Sequence, residues 1–321
     1  MGAFIIRRLL QMIPLLFGIT LITFVIINAA GSPLSDLTFN PRVTPADQER
    51  IRENLGLNDP VHERYFIWVK NVFQGDLGYS LINFRPVSDR ILEVMGNTLM
   101  LSGVSLLISL LIAIPLGIYA AVHRNSVIDR VVNIVAVAGY AVPTVWLGLL
   151  LIIVFAVKFN EWGYYSFPVG GVRDLRSGGG FWDRIEHLVL PITALVIPQI
   201  AVWLIYIRSN MLETIRQDYV RTAAAKGLSA KVVLLRHAFR NALIPLVTLL
   251  GLGLPDLFAG ALIVENVFAY PGMGRLTISA IGDKDHTMVM GITLVFAFLV
   301  VIGNLLADIL YAVVDPRIRL D

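Results

Sequence analysis

Three acidic residues sit in or beside long apolar runs: Asp256, Glu265 and Asp308. A carboxylate at the centre of a membrane helix costs roughly 2.5–3.5 kcal/mol on insertion scales, so such groups face a water path, a bundle interior or a partner. Asp256 lies deepest, directly after Pro255. A local break there would let its carboxylate line a translocation path that a substrate ammonium crosses, with a structural ion pair or hydrogen bond as the alternative. Glu265 and Asp308 lie nearer the ends of their runs, where a side chain reaches water cheaply. They are the other two candidates for the path.

Other chemistry is missing from the residue types and spacings. His62, His123, His187, His237 and His286 are scattered without the paired helical spacing of a metal site, and read as ordinary loop residues. No His-Glu-x-x-His run and no nucleophile elbow occurs. No Gly-x-x-x-x-Gly-Lys-Ser/Thr occurs either, so the chain has no usual cradle for ATP phosphates. The absence of cysteine excludes disulfides, thiolate catalysis and cysteine-ligated metals. These absences point to a protein that is not an enzyme in its own right.

The elements that must carry these residues belong to a membrane. Of 321 residues, 56% are hydrophobic and 15% charged, against about 25% charged in soluble domains. Apolar stretches near the spanning length of about 20 residues fall at about 9–30, 98–122, 131–157, 188–207, 242–268 and 289–314. The first follows Arg7 and Arg8 and ends in small residues, like a secretory signal, but it is longer than the usual 7–15-residue signal core and reads as a retained span. Six spans put both termini on one side. With that side cytoplasmic, the inner segments carry Arg7, Arg8, Arg124, Arg130, the basic cluster from Arg208 to Arg240, and Arg317 and Arg319. Thirteen basic residues fall on each side, but seven of the outer ones lie in the long stretch 31–97, where acidic residues more than balance them, so density and net charge favour this orientation.

The expected organisation is an N-terminal span (1–30), an extracytoplasmic subdomain (31–97) and a five-helix core (98–321). In the subdomain, Thr44, Pro45 and Asp47 form a helix-start pattern. A second helix is expected from about Pro60 to Gln74, with Tyr65, Trp68, Val72 and Phe73 on the face that packs and Gly75 as its stop. Pro14, Pro115, Pro143, Pro191, Pro198, Pro245 and Pro255 fall within spans and predict kinks.

Two connections stand out. The inner loop 208–241 predicts helix, turn, helix: Asp218 to Lys226 is rich in helix formers, Gly227 is placed to stop them, and Ser229 can cap a second helix carrying Val232, Val233 and Leu235. Ala223, Ala224 and Ala225 give the first helix a slim surface that another protein's groove could accept, with Arg221, Lys226 and Lys231 for orientation. An ordinary basic loop is the alternative. At the other face, Tyr270-Pro271-Gly272-Met273-Gly274 is a turn-forming run just outside a span, read as an outer-mouth loop or as a simple connecting turn.

The inner loop resembles the EAA motif of binding-protein-dependent ABC importer permeases, whose glycine-broken helix docks on the ATPase subunit. Counting back from Gly227, Arg221 stands at the motif's Glu position, Thr222 at its first Ala and Ala223 at its second, and Ile244-Pro245 replaces Leu-Pro. Further pieces are similar to the dipeptide/oligopeptide "B" permease subfamily: Gly75-Asp76-Leu77-Gly78-Tyr79-Ser80, Asn97-Thr98-Leu99, the run from Pro143 to Gly148, the run from Glu265 to Leu276, and Asp315-Pro316-Arg317-Ile318-Arg319.

The resemblance implies an all-α membrane protein with six transmembrane helices, a type I ABC importer permease core behind an N-terminal helix and external subdomain. It implies ATPase coupling through Arg221, Thr222, Ala223, Ala224, Ala225, Lys226, Gly227, Leu228 and Ser229. It also implies a bacterial or archaeal cytoplasmic membrane, a homologous permease as heterodimer partner, two cytoplasmic ATPase subunits, an extracytoplasmic solute-binding protein, and no nucleic acid. No cofactor is expected on this chain, since ATP and Mg would bind the ATPases. Peptides lead as substrate; similar permeases carry nickel, glutathione or oligosaccharides, and a stand-alone secondary transporter is the alternative of another class.

Overall fold

A computed structural model describes residues 2–31, 49, 58–174 and 179–314. Thr44, Pro45, Asp47 and residues 315–321 lie outside the described residues, as do the side chains of Asp256 and Asp308. Among the described residues the chain is helical, with one isolated bridge between Tyr79 and Pro86. In chain order the helices are α1 (Gly2–Ala29), α2 (Val61–Phe73), α3 (Val87–Val122), α4 (Val127–Ala141) and α5 (Thr144–Leu151), then α6 (Phe181–Ile215), α7 (Asp218–Ala225), α8 (Arg240–Val267), α9 (Met273–Gly282) and α10 (His286–Val314). A π-helical stretch, Ile152–Lys158, prolongs α5, and another, Val233–Phe239, leads into α8 from a short turn of helix at Ala230–Val232.

Among the described residues six helical stretches are long and apolar enough to cross a membrane: Leu10–Ala29, Val87–Val122, Thr144–Glu161, Phe181–Ile215, Ala230–Gly251 and His286–Leu306. They fall on the six apolar runs, with one correction. The run 131–157 is not one helix but breaks at Val142, which is extended (φ −79°, ψ 120°) because Pro143 disfavours the helical conformation in the residue before it. Pro115, Pro191 and Pro198 are carried inside helices instead.

The chain divides into two compact units. In the first, residues 1–96 with 275–302, Gly75 (φ +84°) ends the helix α2, as its place after Gln74 predicts. Tyr65 of α2 is buried against Phe24 and Met290, with Trp68 and Val69 beside it. Its hydroxyl donates to Phe17 O (3.1 Å) and shares a hydrogen bond with Thr20 Oγ1 (2.9 Å). Phe73 departs from the expected packing face: the last residue of the helix, it is 83% exposed. The Gly75–Ser80 piece lies against the start of α10. Asp285 caps that helix, its Oδ1 accepting from Met288 N (3.1 Å) and Leu81 N (3.2 Å), while Ser80 Oγ donates to Oδ2.

In the second unit, residues 97–274 with 303–321, α4, α6 and α8 pack around one core of Ala113, Ala136, Trp203, Leu204, Ile207 and Leu246. A second cluster, around Leu101, Leu188, Leu195, Val264 and Phe268, seats the turn after α8.

Candidate functional site

The connection 208–241 folds as helix, turn, helix, with shifted boundaries. α6 runs on to Ile215, so Arg208 belongs to its final turns and not to a loop. Two turn bonds, Arg216 N to Glu213 O and Gln217 N to Thr214 O, end it before α7 starts at Asp218. Asp218 places negative charge in the first turn of α7, where the helix dipole favours it.

On α7, Val220 and Ala223 are buried, and Val220 packs in the same core as Ala121, Met211 and Ala238. Tyr219, Arg221, Thr222, Ala224 and Ala225 are exposed. The helix ends with Lys226 N bonded to Thr222 O and Gly227 N to Ala224 O, and Gly227 takes φ +76°. An added Cβ at Gly227 would meet nothing within 4 Å, so the backbone conformation alone demands glycine there. Ser229 differs from expectation: it precedes the next helix, but its hydroxyl caps nothing. The position is exposed, so water satisfies the first N–H groups equally well. Leu228, Val232 and Leu235 leave apolar surface open next to α7. Of the nine consecutive residues 221–229 only Ala223 is buried, and the rest form one projection with a small, apolar and basic surface.

Between α6 and α4 lies a partly buried ion pair that sequence reasoning missed. Arg208 of α6 donates from Nε to Asp129 Oδ1 (2.6 Å) and from Nη2 to Oδ2 (3.0 Å). Asp129 also accepts from Asn125 N (2.9 Å) and Asn133 Nδ2 (2.9 Å), and its own N–H donates to Ser126 Oγ (3.1 Å). Ser126 thus caps α4 while Asp129 reaches back to the N–H one residue before the cap, and that serine-x-x-acid spacing was the available signal. The Arg208 guanidinium holds the Asp129 carboxyl down at about 2, against burial, with Asn125 N–H helping. A depressed carboxylate contributes stability that is complete above its unfolded value near 4 and lost as pH falls through about 2. Arg208→Ala strands a buried carboxylate and is expected to cost on the order of 3 kcal/mol at neutral pH, read as thermal unfolding of the purified protein.

At the other end of α8 the run Tyr270–Gly274 is enclosed, with Tyr270, Gly272, Met273 and Gly274 all buried and Pro271 half-buried. It wraps around Glu265, which is fully buried, contrary to the expectation that its carboxylate reaches water. Thr98 Oγ1 donates to Glu265 Oε1 (2.5 Å) and accepts from Met273 N (2.7 Å), while Gly274 N donates to Glu265 Oε2 (2.7 Å). Met273 and Gly274 open α9, so the Glu265 carboxylate caps that helix through space, where the dipole favours an anion. Tyr270 N donates to Glu265 O (2.8 Å) and Asn97 Nδ2 to Pro271 O (2.7 Å). Burial, then the charge of Glu265, pushes the Tyr270 hydroxyl up to about 12.

Both glycines are required by space. A Cβ on Gly272 would lie 2.1 Å from Glu265 Oε1, and one on Gly274 would lie 2.3 Å from Leu262 Cα. In this structure Glu265 is a buried acceptor that holds the turn.

The histidines differ from the expected loop placement: His62, His187, His237 and His286 lie in helical segments, and only His123 is in a turn, stacked on Tyr119. Among the described residues no cluster of His, Asp or Glu could hold a metal ion.

A family described as "Binding-protein-dependent transport system inner membrane component" matches residues 113–320, and its N-terminal companion matches residues 1–102. The oligopeptide transport system permease protein AppB of Bacillus subtilis is 44% identical over 99% of this chain and 100% of its own length. The di/tripeptide transport system permease protein DppB of Pseudomonas aeruginosa is 39% identical over 99% of each chain, and the dipeptide permease protein DppB of Escherichia coli K12 is 35% identical over 98% of each. Among solved structures, a chain of the MetNI methionine ABC transporter, described as inward facing, aligns with TM-score 0.54 over 70% of this chain and 96% of that one. Its 17% identity supports likeness of fold alone. A helical chain with six spanning stretches, matched by family models over nearly its whole length, is a multi-pass membrane protein and belongs to the family of binding-protein-dependent transport system inner membrane components.

Proposed function

We propose that this chain is a permease subunit of an ATP-driven importer that moves dipeptides or oligopeptides into the cytoplasm. The observation that carries the reading is the 221–229 projection: α7 packs Val220 in the bundle core, buries Ala223, and turns Arg221, Thr222, Ala224 and Ala225 outward, so a partner seated on the exposed side pushes on packed spans through Val220. The relatives named for oligopeptide, di/tripeptide and dipeptide transport support peptides as cargo.

In this reading the chain hydrolyses nothing. Two cytoplasmic ATPase subunits bind ATP and Mg and grip the projection, a homologous permease completes the path, and an extracytoplasmic solute-binding protein delivers the peptide. Both termini are cytoplasmic. Of the path candidates Asp256, Glu265 and Asp308, the first and last are proposed as lining residues and Glu265 as the residue that holds the turn. Alternating access requires that ATP-bound and free ATPases differ in affinity for the two arrangements of the spans.

The test is uptake by proteoliposomes holding the purified chain with its co-purifying partners. Labelled dipeptide should accumulate only with the binding protein outside and ATP on the ATPase side. Uptake by this chain alone would refute the reading in favour of a secondary transporter.

A further inference from the structure

At the Ala29 end of the first span, α1, α2, the 76–81 segment and the start of α10 enclose a cavity of about 500 Å³. Phe24, Ile27, Ile67 and Met290 supply an apolar wall. Arg64, also on the lining, is half-buried. Its Nη1 donates to Asn28 Oδ1 (3.1 Å) and its guanidinium stands 5.9 Å from the Phe24 ring centroid. No ion pair to Arg64 forms among the described residues. Burial pushes the guanidinium below its ordinary value, and the more distant Asp59 offsets this in part. A desolvated cation using one of its five N–H donors is costly unless an acceptor arrives. Two further lining residues hold buried polar atoms without a partner, Trp68 Nε1 and His286 Nδ1.

The charges on the lining are mixed. Against Arg64 stand Asp59, which is exposed, and Asp76, whose Oδ1 accepts from Gly78 N. A purely anionic guest would therefore meet a net negative wall, whereas a zwitterion meets both signs. The apolar side leads away along the span, where Ile22, Val25 and Ile26 of α1 are open surface. Tryptophan at such a level is the usual mark of the membrane–water interface.

We propose that this cavity is a phospholipid site for a zwitterionic headgroup of the phosphatidylethanolamine type. The phosphate sits on the free donors of Arg64, the ammonium turns toward Asp59, and the first acyl carbons lie against Ile27 and Ile67. Arginine suits the phosphate because its planar fork offers two parallel donors. The assignment needs no transported substrate and stands or falls apart from the importer reading.

The protein, purified in mild detergent with the partners it carries, is exchanged through lipid-free detergent and its retained lipids are counted by mass spectrometry. Wild type should keep about one phosphatidylethanolamine per chain, and Arg64→Gln about tenfold less, a loss of roughly 1.4 kcal/mol in binding. Lys70→Gln, at an exposed position of the same helix, should keep the wild-type amount. Asp59→Asn, at an exposed position, should shift the retained lipid from phosphatidylethanolamine toward phosphatidylglycerol. Equal retention by Arg64→Gln and wild type overturns the proposal, as does a wild type that keeps phosphatidylglycerol as readily. Displacement of the lipid by a dipeptide also overturns it, since the cavity would then be a substrate site.

Discussion

Ala225→Trp is expected to abolish transport, by about 100-fold or more, while leaving the protein inserted and as thermally stable as wild type. At 100° per residue, Ala225 points away from the mean direction of Val220 and Ala223, the two buried residues of α7. An indole there meets only solvent in the isolated chain, so the fold loses nothing. A groove shaped to an alanine face has no room for it, and overpacked interfaces lose their fit as overpacked cores do. Ala225→Ser should be near neutral. Ala223→Trp should instead unfold the projection, because Ala223 is 5% exposed within the core. The measurements are uptake and ATP hydrolysis by the reconstituted complex, with thermal unfolding as control. Uptake at the wild-type rate with Trp in place would remove α7 from the coupling path.

The second large effect is expected at the buried carboxylate. Glu265→Ala leaves the Gly274 N–H and the Thr98 hydroxyl without their acceptor, at a cost on the order of 3 kcal/mol or more. Gly272→Ala should cost about as much, because its new methyl would occupy the space of the Glu265 carboxylate itself. The pair gives a sharper expectation than either change alone. Removing the carboxylate makes room for the methyl, so the double variant should be less destabilised than the sum of the singles by about 1–3 kcal/mol. Additive losses, read as unfolding midpoints, would mean that the turn holds its shape without Glu265. Glu265→Gln should fall between, since an amide keeps one acceptor and turns a donor toward the other partner.

Local features of the fold were legible because they depend on neighbours in sequence. Gly227 reads as a helix stop from its position after Asp218–Lys226, and the structure gives it the left-handed backbone that stops require. Gly75 and the α2 stripe around Tyr65 were legible for the same reason, although the exposure of Phe73, the last residue of the helix, was not. The break at Val142 was encoded in Pro143, but a continuous apolar run masked it.

The partners of the buried charges were not legible, because they are distant along the chain. Thr98 and Glu265 stand 167 residues apart, and Asp129 and Arg208 79 apart. Periodicity says nothing about such pairs. Pro271-Gly272-Met273-Gly274 could be read as a turn, but not as a turn whose glycines exist to admit a carboxylate. The same blindness hides that Glu265, near the end of its own span, caps α9.

The central claim is that the α7 projection seats in an ATP-hydrolysing partner. Because the chain has no cysteine, Ala225→Cys provides a unique thiol at the middle of the proposed contact. In the assembled transporter, a short bifunctional reagent on that thiol should join this chain to the ATPase subunit in high yield, with a yield that changes when ATP is bound. A thiol that reacts freely with a membrane-impermeant reagent from the external side, or that never joins the ATPase in either nucleotide state, would contradict it.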